Sequence, residues 1–104
     1  MRELLIIETR DGGDHKDPDR IAALATGMRR AGITTTIFLA ENGAFNARGN
    51  GLAGAMADGV QVAVDRFALD ERAIPETKLT KGISVANIEL VVDRLADGAC
   101  VMWR

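Results

Sequence analysis

The sequence predicts an α/β domain, a three-layer sandwich in which helices cover both faces of a mostly parallel sheet of four to five strands. Three observations predict it. Residues 3–8 (ELLIIE) are an unbroken apolar run bounded by charge, as a strand has when both its faces are covered. Residues 33–40 (ITTTIFLA) and 60–64 (VQVAV) have the β-branched and apolar composition of further strands. Between the runs lie segments of helical period, and strands alternating with helices imply right-handed crossovers and parallel pairing.

Each element follows from local chemistry. After the first strand, Asp17 suits a helix cap and Pro18 the first helical position, while Ile21, Leu24, Ala25 and Met28 fall on one face. Arg29 and Arg30 favour the negative end of that helix, and Gly32 suits a left-handed cap. Glu41, Asn42 and Gly43 mark a turn after the second strand. Residues 44–59 are rich in alanine and glycine, so two short helical turns are expected there. The third strand stops on Asp65, and residues 66–73 form a short helix halted by Pro75. Ser84 is read as the cap of a last helix whose Ile88, Val91, Val92 and Leu95 make one apolar face, with Gly98 ending it. Residues 99–103 close the sheet as a fourth main strand, and Cys100 is expected to be a buried packing residue there.

Composition narrows the function. The 104 residues are expected to form one domain, 1–104, with 47% hydrophobic and 27% charged residues, a balance that folds. A net charge of -2 from interspersed signs leaves no basic stripe to follow a phosphate backbone, so nucleic acid is not an expected partner. The apolar run at 4–7 is too short for a signal-peptide core or a membrane span, and a cytoplasmic protein without membrane association is expected. One cysteine excludes an internal disulfide and two-thiol chemistry within the chain. The loop RDGGDHKDPDR gathers Asp11, Asp14, His15, Asp17 and Asp19, but its spacing fits neither an EF-hand nor a paired-histidine zinc site, and it is read as a solvated loop with a helix cap. Gly12 and Gly13 offer amides near the following helix without the ordered dinucleotide fingerprint. No metal and no cofactor are expected.

In parallel sheets, ligands and reacting groups sit beyond the carboxyl ends of the strands. That directs attention to residues 9–17, 41–46, 65–72 and the C-terminus. Candidate pocket residues are Asp65, Arg72, Glu41, Asn42, Gly43 and Asn46; the turn residues 41–46 serve either as a plain turn, with Phe45 packed into the core, or as a pocket wall beside Asp65. Trp103 is the candidate interface residue, since large aromatics dominate interface energetics.

The order of motifs resembles a family. A helix ending in RRAGI, a strand entering FLAENGAFNA, the strand and short helix VAVDRFALDERAI, and the final GISVANIELVVDRLADGACVMW together are similar to the DsrE/TusD-like sulfur-relay proteins, over nearly the whole chain. The resemblance implies a small flavodoxin-like fold, assembly into homo- or hetero-oligomers with DsrE-like subunits, a sulfur-carrier protein as a possible partner, and passage of sulfane sulfur between cysteines. It also exposes a departure. Persulfide-carrying members end the strand before the short helix in cysteine, followed by Arg-Gly; the matching positions here are Asp65, then Arg72 with Ala73. A carboxylate cannot hold a persulfide, whereas a helix N-terminus suits it as a cap. No catalytic residue is therefore assigned, and an assembly or docking subunit is the preferred reading. The alternatives are a small-molecule or anion binder using the same strand edge, and a receiver-like phosphoacceptor domain with Asp65 ending the third strand, which lacks the usual lysine and acidic pair.

Overall fold

The structure, a computed structural model, describes residues 2–12 and 17–104, the side chains of 17–19 excepted. Five parallel strands, β1 (Glu3–Glu8), β2 (Thr34–Leu39), β3 (Gln61–Asp65), β4 (Ser84–Ala86) and β5 (Cys100–Trp103), form one sheet in the order β4-β3-β2-β1-β5. The chain steps outward from β1 to β4 and then crosses back to place β5 on the other side of β1. Right-handed crossovers then put the connections of the outward steps on one face and the returning helix on the other.

The register divides the core accordingly. Leu4 and Ile6, with Ile37, Leu39, Val62 and Val64, meet α1 (Asp17–Arg30), α2 (Ala53–Ala57) and α3 (Arg66–Glu71) through Ile21, Ala25, Ala55, Ala68 and Leu69. Leu5, Ile7, Phe38 and Ala63 point the other way and meet α4 (Glu89–Ala96), which contributes Val91 as its one buried residue. Arg94 supplies α4's polar attachment to the sheet: its Nε lies 3.2 Å from Glu3 Oε1, too poorly aligned for a hydrogen bond, and its Nη2 donates to Gln61 Oε1 at 3.4 Å. Helix α1 ends as expected, with Gly32 at φ 90° and the Ile33 N–H donating back to the Met28 carbonyl. No helix among the described residues is long and apolar enough to cross a membrane.

Three expectations are corrected. Ser84 does not cap a helix; Ser84–Ala86 pairs with Ala63–Asp65 as a fifth strand, and α4 starts five residues later, its Glu89 N–H held by Asn87 Oδ1 at 3.0 Å. Three residues, two of them apolar, are too few to show a strand period, and both Ser84 and Asn87 are residue types that suit a helix cap. The apolar face expected of that helix is split: Val91 is buried, but Ile88, Val92 and Leu95 are exposed. Cys100 is exposed, at the start of the edge strand β5. Asp14 and His15 lie outside the described residues, as do Gly13 and the side chains of Asp17 and Asp19.

Candidate functional site

At the carboxyl edge, β2 leaves the sheet through Ala40, whose N–H donates to the Glu8 carbonyl at 3.0 Å. Glu41 then takes φ 50°, a left-handed conformation rare for its type, and starts a 3-10 helix, Glu41–Ala47. Gly43 is the closest point of this helix to the sheet. A Cβ there would stand 2.8 Å from the Glu8 carbonyl carbon and nearer still to its oxygen, so only glycine lets the backbone approach.

Asp65 ends β3 in extended conformation and its Oδ2 accepts the Ala68 N–H at 3.2 Å, the geometry of a helix N-cap. Two residues into the helix comes Phe67, 68% exposed. Helix α3 is tied further by Arg66, which pairs with Glu76 and lies 4.0 Å from Asp70; the hydrogen bond to Glu76 raises the Arg66 pKa above its already high ordinary value. Arg72 follows the helix and is committed on two sides: Nε donates to Asn42 Oδ1 at 3.0 Å, and Nη1 to the Ala68 carbonyl at 3.4 Å. Ala73 next adopts φ 51°.

Glu41, Asp65, Phe67, Glu71 and Arg72 thus line one cleft of about 430 Å³. Its three carboxylates face one guanidinium, so the field at the cleft disfavours anions, a persulfide included. Of the expected pocket residues, Asp65, Arg72 and Glu41 come together here, with Asn42 orienting the arginine. Asn46 does not join them. Its Oδ1 accepts the Gly12 N–H at 2.9 Å and its Nδ2 donates to the Arg10 carbonyl at 2.7 Å, pinning the loop after β1 beside a separate cleft lined by Phe45 and Arg48. Phe45 packs against the core, with the Arg48 guanidinium 4.9 Å from its ring centre. Gly43 serves the close approach just described.

Two residues escaped the sequence reading. Phe67 belongs to the cleft rather than the core. Glu8, read as a charge bounding the first strand, is 3% exposed; one carboxylate oxygen accepts the Arg10 N–H at 3.0 Å and the other has no hydrogen-bond partner among the described residues. Its place two residues after Ile6 on the buried side of the strand was the available signal.

The strand order reverses between β1 and β5, where α/β sheets commonly open a crevice. Here the Thr9 N–H and Oγ1 both donate to the Arg104 carbonyl, at 3.0 and 2.5 Å, and the Arg104 N–H donates to the Ile7 carbonyl at 2.8 Å, which closes the gap. The receiver-like alternative also fails on topology: β2 separates β3 from β1, setting Asp65 about 10 Å from the acidic end of β1, where a phosphoacceptor site needs neighbours.

This architecture is a flavodoxin-like α/β fold of the DsrE-like kind. Among solved structures, the chain is similar to the YchN protein from E. coli, with a TM-score of 0.80 at 15% identity over 100% of both chains. It is also similar to MTH1491 from Methanobacterium thermoautotrophicum, a protein of unknown function, with a TM-score of 0.75 at 15% identity over 99% of this chain and 98% of that one. BT1422 from Bacteroides thetaiotaomicron, likewise of unknown function, gives a TM-score of 0.78 at 16% identity over 99% and 95%. No protein-family model and no curated protein matches the sequence.

Proposed function

We propose that this chain is a non-catalytic assembly or docking subunit of the sulfur-relay class, working in the cytoplasm with DsrE-like subunits of its own or another kind. The observation that carries the reading is Asp65: it ends β3 where persulfide-carrying members place cysteine, and its carboxylate is engaged in capping α3. The acidic cleft supports the same reading, because a persulfide anion delivered there meets Glu41, Asp65 and Glu71. So does the position of the lone thiol. Cys100 pairs in register with Leu4 near the start of β1, at the opposite end of the strands from Asp65. It is exposed, and it follows the C-terminal end of α4. The anion-binding alternative is weakened by the same cleft charge and by the prior commitment of Arg72.

The test is incubation with a small-molecule persulfide, followed by intact-mass measurement. Transfer requires an acceptor thiolate to attack the donor's outer sulfur; the donor S–S bond breaks, the donor leaves as a thiolate, and the acceptor carries the persulfide. The native protein should gain sulfur only slowly, and only at Cys100. Fast, stoichiometric gain of one sulfur at Cys100 overturns the reading. Asp65→Cys in a Cys100→Ser background should accept sulfur faster than the native chain, because the α3 amides then face a thiol.

A further inference from the structure

The face of the sheet that carries α4 is unfinished. Five strands span roughly 20–25 Å, while one helix with its side chains covers about 10 Å. The opposite face is covered by α1, α2, α3 and the 3-10 helix; among the described residues this one has α4 alone. Helix α4 is also short of partners: at eight residues it is below the length that persists without packing, yet one of its residues is buried.

The two flanks of α4 differ. Leu90, Asp93 and Arg94 line a groove with Ala86 of β4, and Glu89 joins them, so the flank toward β4 is polar. Ile88 and Leu95 stand three residues before and four after Val91, in one row with it on the other flank, toward β5. Val92 crowns the row. Ile88, Val92 and Leu95 are 60%, 58% and 54% exposed. Across the strip stands Trp103, 66% exposed, which pairs with Ile7 and so projects on this same face, with half-buried Val101 between.

We infer that a second copy of this chain covers the strip, related by a two-fold axis that lays the two α4 helices side by side. The open width admits one more helix at the usual 8–10 Å interaxial distance, and the exposed row of α4 needs one apolar strip. A two-fold meets both needs with the same element, since each α4 row enters the other copy's strip against Trp103. The areas agree. The four side chains expose roughly 300 Å² of apolar surface, within the size range of functional patches. That is over half the apolar share of the about 800 Å² per partner in a stable dimer. Glu89 and Asp93, on the far flank, stay at the rim and do not oppose their copies. This inference rests on the assembly reading above and names the surface it uses.

Sedimentation of the full chain tests it, with Trp103 emission as an internal reporter because it is the only tryptophan. At micromolar concentration the native protein should run at twice its 11.1 kDa or an even multiple, with emission that shifts to the red on dilution. Leu95→Glu should weaken the pairing at least tenfold and abolish the concentration dependence of the emission, while Glu89→Lys should change neither. Leu95 is exposed within one chain, so the variant should fold; if its circular dichroism shows that it does not, Val92→Lys takes its place and is expected to do the same. A native protein that stays at 11.1 kDa overturns both this inference and self-assembly. An assembly that is odd-numbered, or indifferent to the folded variant, overturns the α4 face and leaves the assembly reading standing.

Discussion

Substitution of Asp65 separates a cap from a reacting group. Its Oδ2 accepts the Ala68 N–H at 3.2 Å, and α3 has only six residues, so little else secures its first turn. Asp65→Ala removes the acceptor and should cost about 1 kcal/mol, within the 0.5–2 kcal/mol range measured for caps. Asp65→Asn keeps an acceptor of nearly equal rank and loses only the charge near the helix N-terminus, about 0.3–1 kcal/mol. Removing that charge also relieves repulsion from Glu41 and Glu71 across the cleft, so the net change for Asn should be near the low end. In a domain of this size, 1 kcal/mol moves the melting temperature by about 4–8 °C. Thermal denaturation at one fixed protein concentration reads both variants while holding any assembly constant. The order expected is native, then Asn slightly lower, then Ala lower by several degrees. A rise in melting temperature for Asp65→Ala refutes the reasoning, since gain on deletion marks a group held against stability for a functional purpose.

Two more perturbations address the same edge. Gly43→Ala drives a methyl group into the Glu8 carbonyl and should cost about 1–3 kcal/mol or more, because the obstacle is the backbone of an inner strand; an unchanged denaturation midpoint would show that the 3-10 helix is not seated there. Ala73→Gly relieves a residue at φ 51°, worth about 1–2 kcal/mol, against about 0.5–1 kcal/mol of added freedom in the unfolded chain, so a net gain near 0.5–1 kcal/mol is expected by chemical denaturation and a loss would contradict it.

The parts of the fold visible in the sequence are those with repeated local signals. ELLIIE, ITTTIFLA and VQVAV are long enough to show strand character, and all became inner strands. The α1 boundaries were marked by Pro18, the arginine pair and Gly32, each acting within one turn. Strand β4 was invisible because three residues gain their strand state from pairing with Ala63–Asp65, far away in the chain. The apolar spacing of α4 was legible, but not which side of the row would meet the sheet. Cys100 was misjudged for a related reason: apolar neighbours along a strand do not show that the strand is an edge. At the site, the rule of strand carboxyl ends pointed to Asp65 and to Arg72 at the close of the helix that follows it, whereas Asn46 stands apart because its side chain holds the loop after β1.

Asp65 and Ala73 together bear on how this edge holds its shape. A helix N-terminus presents unsatisfied N–H groups and positive potential, and either a thiolate or a carboxylate answers both. The Asp65 carboxylate answers both here: it caps the first turn of α3, the helix that presents Phe67 and leads to Arg72 held against Asn42. Ala73 holds its place at a local cost, in a left-handed conformation that glycine takes freely and alanine does not. On the assembly reading proposed above, the surface itself is the part in use. On this reading the exposed Phe67 edge and the α4–Trp103 face are the two working surfaces of the chain, and they stand on different sides of the sheet, so a partner at one leaves the two-fold at the other intact.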